Sequence, residues 1–270
     1  MTVFNNVTTL KGMYQYLSFT SPIGLAHRGY TAHGKVPENS LRAFQNAVDL
    51  GYKYLETDVQ ATQDGTCVIF HDSTLQRLFG LEKQMKDLNY SELRDLKLAG
   101  TDAVPTLKEA LEAFPESYFN IDIKTEEAIV PFAEVIEELQ CHDRVCVASF
   151  SDARREKVLS LLSQPTASSG GTLTAAGFKL SSFLPTSMVA KMKRGNVDAL
   201  NVPDIFHGIP YTNQRLVKAA HKLGLKVLVW TVNERQQMEN LLDMGVDGIF
   251  TDEAEVLRDV LMKRGYWPLS

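Results

Sequence analysis

Cysteine is scarce, long apolar runs are missing, and positive charge is in deficit. The three cysteines, Cys67, Cys141 and Cys146, are odd in number and lack C-x-x-C spacing. That argues against a disulfide framework or a thiolate zinc site and leaves buried free thiols as the expectation. No stretch approaches the roughly 18 to 20 uninterrupted apolar residues of a membrane-spanning helix. Met1 to Phe19 is interrupted by Asn5, Asn6, Thr8, Thr9 and Lys11, where a secretory signal would carry an apolar core. A cytoplasmic, soluble chain without stable membrane association is expected. Lys plus Arg number 28 against 33 Asp plus Glu, a net charge of -5. Such a chain has no general attraction for nucleic acid, so an anionic ligand must be held by local positive charge.

What is present is an ordinary globular balance, 44% apolar and 23% charged over 270 residues. That length suits one closed α/β barrel, commonly about 250 residues, and a single domain over 1–270 is expected. Short β-branched runs alternate with segments of helical period from Ile23 onward. The strand candidates are Ile23 to His27, Tyr54 to Val59, Phe119 to Ile123, Val145 to Ser149, Thr166 to Ser169, Ala199 to Val202, Val227 to Thr231 and Gly248 to Thr251. Eight is the number that closes a (β/α)8 TIM barrel. Thr166 to Ser169 rests on the need to complete that number. Helix punctuation agrees with the count. A helix opens at Asn39-Ser40 and stops at Gly51, another runs from Asn213 to Gly224, and a third from Glu234 to Gly245. Asp72 to Val104 is too long for an ordinary connection and reads as an insertion carrying short helical pieces. Leaving the barrel after His71, it is placed to form a wall over substrate, or is a structural excursion only.

Polar residues interrupt the ends of apolar strands, where unpaired burial is costly. Period-two alternation puts Glu56 and Asp58 on one face of their strand, and Asn120, Asp122 and Lys124 on one face of theirs. Carboxylates converging in a confined space repel one another unless a cation neutralises them. Glu56, Asp58 and Asp122 are therefore candidate ligands of a hard divalent metal, against the alternative of ordinary ion pairs. His27 and His71, at two further strand ends, are candidate acid and base because imidazole titrates near neutrality. His33 is near them in sequence, whereas His142, His207 and His221 read as structural. Arg28 and Lys124 supply positive charge suited to phosphate oxygens, unless the carboxylates take them up as salt-bridge partners. Trp230, at the end of its strand, is placed to pack on a ligand or in the core.

Several of these residues fall in a recognisable series. Ala26-His27-Arg28-Gly29, Pro37-Glu38-Asn39-Ser40, Leu55-Glu56-Thr57-Asp58-Val59 and Phe70-His71-Asp72 are followed by Pro105-Thr106-Leu107 and Asn120-Ile121-Asp122-Ile123-Lys124. Val229-Trp230-Thr231-Val232-Asn233 and Gly245-Val246-Asp247-Gly248-Ile249-Phe250-Thr251-Asp252 complete it. Over about residues 22 to 262 the chain resembles the glycerophosphodiester phosphodiesterases. The resemblance implies a TIM barrel with an inserted segment after the second unit. It also implies one divalent ion, Mg2+ or Ca2+, at Glu56, Asp58 and Asp122, acid-base work by His27 and His71, phosphate contacts from Arg28 and Lys124, and support from Glu38 and Asn39. The family more often has Glu in place of Asp122, a difference that bears on metal distance and preference. The implied substrate is a small glycerophosphodiester, split to sn-glycerol 3-phosphate and an alcohol by water or by a neighbouring substrate hydroxyl. A lysophospholipid or sugar phosphodiester substrate, and a catalytically inactive ligand-binding barrel, are the alternatives to be separated.

Overall fold

The computed structural model describes residues 14–184, 186–189 and 195–267. The polar start read above as carrying no export signal lies, over 1–13, outside the described residues. Eight parallel strands close a barrel: β1 (Ile23–His27), β2 (Tyr54–Ala61), β4 (Tyr118–Ile123), β5 (Val145–Ala148), β6 (Ala167–Gly170), β7 (Ala199–Pro203), β8 (Lys226–Trp230) and β9 (Gly248–Thr251). Each pairs with its neighbour in that order, and β1 pairs with both β2 and β9, which shuts the ring. A ninth strand, β3 (Cys67–Ile69), lies outside the ring and runs antiparallel to β2. It carries the Val68-Ile69 segment that leads to His71.

The helices alternate with the strands as the punctuation predicts. In α1 (Leu41–Asp49) the Ser40 side chain accepts from the Ala43 amide, and Ala43, Phe44 and Ala47 turn inward. Capping satisfies an amide that the first turn leaves without a partner. Phe44 then meets Phe114 and Phe119 edge-on, tying this helix to β4. The helix α2 (Leu107–Ala113) opens on a reciprocal box between Thr106 and Glu109. Three more follow along the chain: α3 (Ile129–Leu139), α4 (Asp152–Leu161) and α5 (Thr172–Ser181). The last three are α6 (Gln214–Lys222), α7 (Arg235–Met244) and α8 (Ala254–Lys263), and α7 ends on Gly245 in the left-handed conformation.

Inside the ring, Leu25, Tyr54, Cys146, Ala199, Leu228 and Phe250 pack with Tyr16. Tyr16 sits on a 3-10 turn, Gln15–Leu17, fully buried against the entry ends of the strands. The Tyr54 hydroxyl donates to the Tyr16 carbonyl at 3.0 Å, and the Asn120 side-chain amide donates to the Tyr16 hydroxyl at 2.9 Å. Asn120, expected to share a face with Asp122, is thereby committed to the plug beneath the site. All three cysteines are free and buried.

The segment 72–104 contains the short helices Gln76–Phe79 and Tyr90–Asp95 and a two-residue ladder. Its Leu75, Met85, Leu88, Leu93, Leu98 and Val104 form a separate small core with Val68 and Phe70. Most large apolar side chains of the insertion are taken up by that core, with Leu81 left exposed.

Candidate active site

Strand register gathers the site. His27 stands beside Glu56 across β1 and β2, Glu56 beside Asn120 and Asp58 beside Asp122 across β2 and β4. Glu56, Asp58 and Asp122 are all buried. The turn after β1 is bent to serve them. Arg28 and Asn39 both adopt positive φ, 54° and 57°, a strained conformation for residues with a side chain. The Arg28 amide, held in that turn, reaches the Glu56 carbonyl at 3.0 Å and its carboxylate at 3.2 Å. The Asn39 side chain donates to Asp58 Oδ2 at 3.1 Å and accepts from the Thr57 hydroxyl at 2.8 Å.

The two cations are engaged with the carboxylates, as their salt-bridge alternative anticipated. Lys124 Nζ lies 2.8 Å from Asp58 Oδ1 and 2.7 Å from Asp122 Oδ2. Arg28 Nη1 contacts Glu38 Oε1 at 2.9 Å, while Arg28 Nε lies 3.1 Å from Asp58 Oδ2, close enough for ionic attraction but off the line of a hydrogen bond. Burial raises the pKa of Asp58, but the Lys124 and Arg28 charges overcome that and hold it below the usual carboxylate range. Burial and the adjacent Asp58 charge push Glu56 upward, and burial does the same to Asp122 against the pull of Lys124.

Each catalytic candidate imidazole is anchored through Nδ1. His27 Nδ1 lies 2.7 Å from Asp252 Oδ1, with Nε2 3.8 Å from Glu56. His71 Nδ1 lies 2.6 Å from Asp72 Oδ1. Burial lowers the pKa of His27, but Glu56 and the Asp252 hydrogen bond outweigh it and raise the ring above its ordinary value. An Nδ1 partner fixes the tautomer and leaves Nε2 as the group that faces a reactant. Asp72 and Asp252 were not singled out in the sequence. The strand-end criterion applied to Thr251-Asp252 and to His71-Asp72 identifies both. Arg77, from the insertion, joins the two halves: its Nε lies 2.5 Å from Asp72 and its Nη2 2.6 Å from Glu38.

A hard cation fits this donor set in two respects. Asp122 Oδ1 is buried without a hydrogen-bond partner, and Glu56 is crowded by like charge in a dry place. Among the described residues, no three carboxylate, imidazole or thiolate groups stand ready to hold an ion as they are. The Lys124 ammonium takes the place between Asp58 and Asp122.

These groups floor a cavity of about 400 Å³ that includes His27, Arg28, His71 and Lys124. Its wall is Phe150, Trp230, Phe206 and Tyr211, with Ser169, Gly170 and Gly171. Trp230 therefore faces the cavity, edge-on to Phe150. The insertion, expected to wall the substrate, contributes no residue of 73–104 to this lining, because its apolar residues face their own core. The loops after β5, β6 and β7 supply that wall instead. Away from the cavity, His142 pairs with Glu137 at 2.9 Å and His221 with Asp247 at 2.6 Å. His33 lies 3.4 Å from Glu255 at the surface.

Residues 27–256 match the model of the glycerophosphoryl diester phosphodiesterase family. The chain belongs to that family. It is 40% identical over 253 residues to "Probable glycerophosphodiester phosphodiesterase 2" of Mycobacterium tuberculosis, covering 94% of this chain and 96% of that one. It is 32% identical to a glycerophosphodiester phosphodiesterase of Caldanaerobacter subterraneus, covering 89% and 98%. In fold it is similar to an Oleispira antarctica phosphodiesterase solved in complex with the product sn-glycerol-3-phosphate, with a TM-score of 0.74 at 23% identity over 92% and 99% of the two chains.

Proposed function

We propose that this member of the family hydrolyses glycerophosphodiesters to sn-glycerol 3-phosphate and an alcohol, using His27 and His71 as acid and base. The observation that carries this reading is the pair of imidazoles, each fixed through Nδ1 by a carboxylate, on the floor of one cavity with Arg28 and Lys124. Two histidines so held exchange proton roles within one turnover. One gives a proton to the leaving alkoxide oxygen as the P–O bond breaks. The other takes a proton from the attacking group, either water or a neighbouring substrate hydroxyl. In the second route water then opens the cyclic phosphodiester.

Glu56, Asp58 and Asp122 are the residues that would hold one divalent ion, Mg2+ or Ca2+, which when bound neutralises charge on the phosphoryl oxygens. Arg28, oriented by Glu38, presents its guanidinium to the phosphate, and Lys124 offers an ammonium that exchanges carboxylate for phosphate oxygens. Glu38 and Asn39 hold Arg28 and Asp58 in place without meeting substrate. Trp230 packs against the organic part of the substrate. The reading extends to one domain over 1–270 acting on a small molecule, with no role for nucleic acid.

The test is turnover of glycerophosphocholine, glycerophosphoethanolamine and glycerophosphoglycerol after chelation and after separate return of Mg2+ or Ca2+. Loss on chelation with recovery on one ion is expected. An unchanged rate in chelator removes the metal from the scheme, and binding without turnover of any diester removes the hydrolase.

A further inference from the structure

We propose that the apolar rim on one side of the cavity mouth is a docking surface for a lipid–water interface, bringing the site to phosphodiesters carried by amphiphiles. The helix α5 buries Ala175, Phe178 and Ser181. Its opposite face, which should be polar, carries Leu173 (82% exposed) and Leu180 (72% exposed), with exposed Ala176 and Gly177 between them. The spacing i, i+3, i+4, i+7 makes these one continuous stripe on the solvent side. Phe183, Leu184 and Met188 extend it, all exposed.

Beside the stripe stands a short hairpin, Ile205–Phe206 paired antiparallel with Ile209–Pro210. His207 and Gly208 turn it with positive φ, and it shows Ile205, Phe206 and Ile209 (69% exposed) to solvent. From 205 to 210 there is no Asp, Glu, Lys or Arg. Lys179 fastens the two elements, its ammonium donating to the Tyr211 carbonyl and lying 5.2 Å over the Tyr211 ring.

The identity of the occupant follows from where this surface leads. Ala176 and Phe206 belong both to the exposed rim and to the cavity lining, so apolar side chains lead from outside to the wall above the carboxylates. A protein partner needs a polar rim of hydrogen-bonding groups around its apolar centre, and apart from buried Ser181 these two elements add only Thr172, Thr174, Lys179 and His207 as polar side chains, with Lys179 already engaged by the Tyr211 carbonyl. A lipid surface needs no such partners. Apolar side chains enter at the headgroup–acyl boundary, the level at which a phosphodiester is presented to the mouth. With a net charge of -5, adsorption depends on apolar insertion and not on anionic lipid. Such contact is peripheral and reversible.

The consequence for substrate rests on the phosphodiesterase reading; adsorption does not. The experiment compares wild type with a Leu173→Gln, Leu180→Gln, Ile209→Gln triple variant, three residues outside the cavity lining. Co-sedimentation with phosphatidylcholine vesicles at low and high salt should show wild type bound at both, and the variant at least tenfold weaker. Hydrolysis of lysophosphatidylcholine presented in vesicles should fall in parallel while that of soluble glycerophosphocholine is unchanged. Equal sedimentation of the two proteins, or no binding by wild type, overturns the inference. So does light scattering that finds a wild-type dimer and a monomeric variant, because a second copy then covers the patch. If neither protein hydrolyses glycerophosphocholine, the phosphodiesterase reading fails, and the sedimentation result still decides adsorption.

Discussion

Asp252 Oδ1 stands 2.7 Å from His27 Nδ1 although the two residues are 225 positions apart in the chain. The first and last strands of the barrel pair at its seam, and each of these residues ends or follows one of them. Asp252 is held in turn by Asn233, whose amide donates to Oδ2 at 2.9 Å while its oxygen accepts from the Asp252 backbone at 2.9 Å. Burial raises the Asp252 pKa, but the His27 hydrogen bond and charge overcome that and keep the carboxylate ionised. Asp252→Asn keeps the size and removes the charge. It should lower kcat about 100-fold with little change in KM, in the range expected when an acid-base group loses its orienting partner. Steady-state kinetics beside a circular dichroism spectrum checks this; unchanged kcat would show that the contact is only structural.

Arg77 touches Asp72 and Glu38 and lies outside the cavity lining. It links the residue that orients His71 to the residue that orients Arg28. Arg77→Met should cost about tenfold in kcat through loosened geometry, and Arg77→Lys should recover part of that loss. Equal activity in all three proteins would separate the insertion from catalysis.

Gly29 has a φ of 82°, and a Cβ there would lie 2.6 Å from the Ala43 carbonyl carbon. Neither backbone can give way without moving α1 off the barrel. Gly29→Ala should destabilise the fold by on the order of 3 kcal/mol, since it combines backbone strain with overlap against main chain. Chemical denaturation measures it, and a loss below 1 kcal/mol would mean that this turn is more compliant than its contacts imply.

Asp247 accepts from the Val227 amide at 2.9 Å and pairs with His221 and Lys226. Burial raises its pKa, but these partners overcome the effect and lower it below the ordinary value. A depressed folded-state pKa contributes stability above the unfolded value of about 3.9, and that contribution is lost as pH falls through the folded value. Asp247→Asn should therefore cost about 2 kcal/mol at pH 7, with the difference from wild type shrinking at acid pH. A difference that stays constant down to pH 3 would assign the effect to shape and not to charge.

Seven of the barrel strands were legible as short apolar runs, several of which end in polar groups. Ala167–Gly170 has no such run: its buried positions are Ala, Ser, Ser and Gly, and at Gly170 the Thr174 side chain leaves no room for a Cβ. The carboxylates and histidines were legible from alternation and strand ends. The orienting partners were less so: Asp252 reaches His27 only through the pairing of the first and last strands, Arg77 reaches Glu38 only through the folded insertion, and Asp72 stands next to His71 in the chain but shows its role only when its carboxylate turns back on Nδ1. The Tyr16 plug leaves no sequence signal for a related reason. Tyr14, Tyr16 and Phe19 have neither helical nor strand period, and their value lies in filling the open end of a ring built by later residues.

The most direct measurement is release of sn-glycerol 3-phosphate from glycerophosphocholine by wild type, His27→Ala and His71→Ala, each verified as folded. Loss of at least about 100-fold in kcat for each single change is the expected result. Near wild-type turnover by either variant would contradict acid-base catalysis by this pair.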